Sequence, residues 1–76
     1  MPGGLNEMTG QLTSRELEVA ELVAQGLTNV AIAQHLFLSR ATVATYVARL
    51  LDKLDATSRV RIAAWVIERR PDGEGH

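Results

Sequence analysis

Apolar residues recur at helical spacing in four separate stretches of this chain. In the first, Thr13 and Glu16 stand three apart, the spacing of a capping box in which each side chain accepts a backbone N–H from the other's end of the turn. Leu12 and Leu17 occupy the two positions of a hydrophobic staple. Val19, Ala20, Val23 and Leu27 then mark one buried face, and Gly26 can take the left-handed conformation that ends a helix. This pattern predicts a helix over 14–25.

Thr28 is the cap expected for a short second helix over 29–36, with Ile32, Ala33 and Leu36 toward the core. Phe37 and Leu38 make a brief connection, and Ser39 caps a third helix. Val43, Val47, Leu50, Leu51 and Leu54 fall on one face of that helix, which runs over 40–53. The run "DATS" separates it from a fourth helix over 59–69, capped by Ser58. There Val60, Ala63, Ala64 and Ile67 form one apolar stripe, and Ile62, Trp65 and Val66 fill much of the remainder. A short helix apolar nearly all round must be covered on both sides. No alternation of strand type occurs, so the expected fold is all-α with four helices. Residues 1–11 are Gly-rich and aperiodic and read as a tail or linker; residues 71–76, opening with Pro71, read as a second tail. The folded domain is therefore expected over 12–70.

Composition narrows what such a domain can do. The chain has 76 residues, no cysteine and two histidines, so no thiolate or usual histidine metal site is expected, and no cofactor. Its apolar runs are far too short to cross a membrane, and no leader opens it, so the expected location is cytoplasmic. Net charge is −1, which by itself argues against a nucleic-acid partner. The distribution reverses that reading. Residues 37–70 hold seven cations (Arg40, Arg49, Lys53, Arg59, Arg61, Arg69, Arg70) against Asp52, Asp55 and Glu68. The positive charge thus gathers around the third helix.

Two short helices joined by a three-residue turn, the second longer and amphipathic, are the skeleton of a helix-turn-helix. The run from Leu12 to Ile67 closely resembles the LuxR-type helix-turn-helix, the output domain of many bacterial response regulators and quorum sensors. Its marks stand in register and without gaps: "LTSRELEV" in helix one, "GLTNVAIA" into helix two, "LSRATV" into helix three and "SRVRIAA" opening helix four. The resemblance implies a dimer on DNA, with the third helix in the major groove and the fourth at the pairing surface. It also exposes departures. Ala44 stands where relatives commonly carry lysine, Ala48 where a polar or basic residue is frequent, Val30 where lysine is frequent, Tyr46 in place of histidine, and Asp55 in place of a helix-ending glycine.

At 100° per residue, Thr45, Arg49 and Asp52 point most directly away from the buried stripe, flanked by Ala41 and Ala48 on one side and Thr42 and Tyr46 on the other. Arg49 can hold guanine through O6 and N7 or clamp a phosphate, and Thr45 can meet a thymine methyl or a base edge. Arg40 opposes the dipole of its own helix, so helix stability gives no reason for it, whereas a nearby phosphate would. Thr42 can donate to phosphate. Asn29 and Tyr46 are candidates for backbone contacts, Lys53 adds positive surface, and Ala44 and Ala48 present methyl groups. For pairing the expected residues are Ile62, Trp65, Val66 and Arg69 on helix four.

The expected partners are double-stranded DNA bearing an inverted repeat, a second copy of the chain, and RNA polymerase as a further candidate. The free domain is expected to be monomeric, because the patch is small. An enzyme is the weaker alternative, since the chain has no phosphate loop, nucleophile–histidine pair or metal cluster. A protein-interaction module is the stronger rival, because an alanine-rich face could pack on a partner helix. Retention of Arg40, Thr42, Thr45 and Arg49 on one helix favours DNA. With only a short segment before Leu12, the chain is expected to be an excised output domain or a stand-alone regulator.

Overall fold

A computed structural model of the chain describes residues 12–69. The expected tails at 1–11 and 71–76, and Arg70, lie outside the described residues. Four helices follow in order: α1 (Ser14–Ala24), α2 (Asn29–Leu36), α3 (Arg40–Lys53) and α4 (Arg59–Arg69). Each boundary has a local cause. Thr13 Oγ1 accepts the Glu16 N–H at 3.1 Å and Glu16 Oε1 accepts the Thr13 N–H at 2.9 Å, closing the capping box. Gly26, at φ 90°, ends α1: its N–H donates to the Val23 carbonyl and the Leu27 N–H to the Leu22 carbonyl, the paired bonds of a Schellman motif. Thr28 Oγ1 caps α2 through the Ala31 N–H, and Ser39 Oγ caps α3 through the Thr42 N–H. At Ser58 the bond that forms is a backbone one, from the Arg61 N–H to the Ser58 carbonyl at 3.0 Å.

The core draws on all four helices: Val19, Ala20, Leu22 and Val23 from α1, Ile32 and Ala33 from α2, Val43, Val47 and Leu50 from α3, and Ile62 and Val66 from α4. Helix α1 packs chiefly on α4 and then on α3, while α2 lies against α3 across the turn Phe37–Ser39. That turn is tight because Phe37 is left-handed at φ 59°, which lets the Leu38 N–H reach the Ala33 carbonyl at 2.9 Å. The α2–α3 pair is a helix-turn-helix carried on α1 and α4.

Asp55 repeats the Gly26 motif at the end of α3. It sits at φ 53°, with its N–H on the Asp52 carbonyl and the Ala56 N–H on the Leu51 carbonyl. A side chain there opposes the left-handed backbone, and its negative charge opposes the carbonyl end of the helix dipole. Asp55→Gly should therefore raise stability by about 1 kcal/mol and the melting midpoint by about 4–8 °C. A midpoint that stays level or falls in a thermal melt would show that Asp55 is held by something stronger than this strain.

Candidate nucleic-acid interface

The outer face of α3 is open along its whole length. Val43, Val47 and Leu50 are buried, while Arg40, Ala41, Thr42, Ala44, Thr45, Ala48, Arg49 and Asp52 are exposed. Tyr46 is half-buried against the core, and the Arg49 guanidinium lies 5.9 Å from its ring centroid. This cation–π contact partly orders the arginine while leaving it exposed.

Local hydrogen bonds decide what the two threonines can offer. Thr42 Oγ1 accepts the Ser39 hydroxyl at 2.9 Å, so the Thr42 hydroxyl proton is still available to an outside acceptor. Thr45 donates its hydroxyl proton to the Ala41 carbonyl at 3.1 Å. It therefore presents a methyl group and acceptor lone pairs rather than a donor. That suits a thymine methyl or the amino group of adenine or cytosine better than a phosphate.

Two expected DNA contacts sit in other networks. Lys53 Nζ is 2.8 Å from Glu16 Oε1, so its charge is tied into the domain rather than standing as general positive surface. Glu16 is buried on α1. Burial alone would raise its carboxyl pKa, but the Lys53 hydrogen bond, the Thr13 N–H and the charges of Lys53 and Arg49 outweigh burial and lower it. Asn29 opens α2 half-exposed, and its Oδ1 accepts from Arg59 Nη1 at 2.6 Å. The other arm of Arg59, Nη2, donates to the Leu27 carbonyl at 2.8 Å.

Helix α4 corrects the expected pairing set. Ile62 and Val66 are 0% and 2% exposed, buried within the domain against α1, and are not free to meet a second copy. The stripe left in solvent is the other one: Val60 is 73% and Ile67 54% exposed, with Ala63 half-buried between them. Both stripes are apolar and each carries one isoleucine and one valine; it is Ile62 and Val66 that are buried in the core against α1. Trp65 packs at the edge of the core on the opposite flank, with the Arg69 guanidinium 4.9 Å from its ring centroid.

The family model for bacterial regulatory proteins of the luxR family matches residues 10–66. The chain belongs to this family. It is a helix-turn-helix domain of the DNA-binding kind found in that family's transcription regulators, and the family is not an enzyme class. The chain is 55% identical over 51 residues to the virulence-factor transcription regulator BvgA of Bordetella pertussis, covering 67% of this chain and 24% of BvgA. It is 43% identical over 60 residues to the nitrate/nitrite response regulator NarL of Escherichia coli, covering 79% of this chain and 28% of NarL. It is 42% identical over 67 residues to the transcriptional activator DevR/DosR of Mycobacterium tuberculosis, covering 84% of this chain and 31% of that protein. The chain thus spans between 24% and 31% of these relatives' lengths.

Two residues of this luxR-family domain carry roles that sequence reading missed, and each left a signal. Glu16 shares the face of Val19, Ala20 and Val23, so its carboxylate had to be buried and to need a cation. Arg59 opens α4 against the helix dipole, as Arg40 does in α3, so it too needed a partner outside its own helix. Among the described residues no group of side chains could hold a metal, and no helix is long and apolar enough to cross a membrane.

Proposed function

We propose that this domain binds double-stranded DNA sequence-specifically, with α3 in the major groove and two copies pairing along the Val60–Ala63–Ile67 flank of α4 over an inverted repeat. The observation that carries this reading is the open face of α3, where two arginines, two threonines and four small or polar neighbours surround no core contact. Arg49 reads a base edge or clamps a phosphate. Arg40 and Thr42 hold phosphates at the start of the helix, and Thr45, Ala44 and Ala48 face the groove with methyl groups. Asn29 contacts the backbone from α2, and Tyr46 holds Arg49 in place. The free domain is monomeric, since the exposed flank of α4 is small. The response-regulator and activator names of its relatives support an output role in a two-component type of regulator; a cytoplasmic location and contact with RNA polymerase belong to the same proposal.

DNA selected by the domain from a random-sequence library tests the reading. An enriched inverted repeat is expected, and Arg49→Ala should weaken binding to it by about 1–3 kcal/mol without changing the melting midpoint. No enriched motif, or unchanged affinity in Arg49→Ala, would move recognition off α3.

The alanine face sets the salt dependence. With Lys53 tied to Glu16, Arg40 and Arg49 are the cations α3 offers, giving four per dimer and a slope of log affinity against log salt of about −4. Ala44→Lys should steepen that slope by about one per protomer and strengthen binding to unrelated DNA. A wild-type slope already far steeper than this in a salt titration would mean that phosphates are neutralised elsewhere.

A further inference from the structure

Arg59 begins α4, where a cation opposes the dipole of its own helix. It crosses to the α1–α2 connection instead, with one guanidinium nitrogen on Asn29 Oδ1 at 2.6 Å and the other on the Leu27 carbonyl at 2.8 Å. A guanidinium has donors only. The amide oxygen of Asn29 must therefore face Arg59, and the amide NH2 must face the other way. Among the described residues that NH2 meets no acceptor, and Asn29 is half-exposed. Both acceptors of Arg59 are neutral, so its positive charge is not cancelled and adds to the field around the amide.

We propose that Arg59 is a positioning residue for DNA binding: it fixes the orientation of the Asn29 amide so that the NH2, and not the carbonyl oxygen, meets a backbone phosphate. Without Arg59 the amide can turn over, and its oxygen would then repel the phosphate. The proposal rests on the DNA-binding reading above and deepens it.

The experiment measures affinity for the selected DNA site and thermal stability in Arg59→Ala, Arg59→Lys, Asn29→Ala, Asn29→Asp and the Asn29→Ala/Arg59→Ala double variant. Arg59→Ala should weaken binding about tenfold in the natural background and less than about twofold when Asn29 is already alanine. Asn29→Asp keeps an acceptor for Arg59 and should melt no lower than the natural domain, yet its added oxygen should weaken binding at least about tenfold. Lysine retains the charge but cannot bridge both acceptors, so Arg59→Lys should rescue only part of the loss. It replaces Arg59→Ala in the cycle if the alanine variant does not fold. Equal losses from the Arg59 change in both Asn29 backgrounds would overturn the proposal, as would an Asn29→Ala or Asn29→Asp variant that binds like the natural domain. If the natural domain selects no DNA at all, it is the DNA-binding reading that fails.

Discussion

Val66→Asp should unfold this domain, whereas Ile67→Asp should leave it folded and abolish cooperative binding to a two-half-site DNA. The two positions are adjacent on α4 but face different neighbours. Val66 is 2% exposed in the core shared with α1, and an aspartate there would bury a charge with no partner, a change that costs more than about 4 kcal/mol. A domain of this size has only about 4–11 kcal/mol in total. Ile67 is 54% exposed, so its replacement should change stability by no more than about 0.5 kcal/mol. Its effect is confined to the face where a second copy would pack, since two like charges would then meet across the two-fold axis. Thermal unfolding and DNA titration of both variants decide the matter. A Val66→Asp protein that melts normally and fails only in pairing would put the interface back on the Ile62–Val66 stripe.

The ambiguity of α4 has a physical cause. Helices α1 to α3 each carry one apolar face, so periodicity and caps fix both their limits and their buried sides. Thr13, Thr28 and Ser39 cap where expected, and Val43, Val47 and Leu50 are buried as their spacing requires. Helix α4 carries two apolar faces, and its own sequence cannot say which one α1 will cover. Selection between them depends on the shape left by Val19, Ala20 and Val23, residues some forty positions away. The exposed face of α3 was legible for the same reason that its core was, being the complement of a single stripe. What each side chain there can donate was not, because Thr45 spends its proton on Ala41 and Lys53 its charge on Glu16. Those commitments arise only when backbone and neighbouring helices are in place.

The Glu16–Lys53 pair leads to the second large effect. Lys53→Met keeps the aliphatic stem but leaves the Glu16 carboxylate, whose side chain is 2% exposed, without its cation. Breaking a buried pair costs about 3–5 kcal/mol; here Glu16 keeps the Thr13 N–H and Lys53 is 30% exposed, so about 2–3 kcal/mol at pH 7 is expected. The dependence on pH should change sign. In the natural domain the Glu16 pKa is lowered, so its ionised form contributes stability that is present above the ordinary glutamate value of about 4.3 and lost as pH falls through the lower folded value. With the Lys53 hydrogen bond and charge removed, burial, the largest single influence on Glu16, is opposed only by the Thr13 N–H and the Arg49 charge, and the pKa is expected to rise above the ordinary value. The folded state then holds the proton more tightly than the unfolded chain, and stability declines as pH rises above about 4.3. The penalty of Lys53→Met should accordingly be small near pH 4 and full at pH 7. Glu16→Gln, added to Lys53→Met, removes the buried charge yet keeps an acceptor for Thr13, since glutamine also serves in a capping box. The double variant should recover most of the loss at pH 7. Denaturant unfolding across this range distinguishes the alternatives: a cost below about 0.5 kcal/mol that does not grow with pH would make the pair an ordinary surface contact.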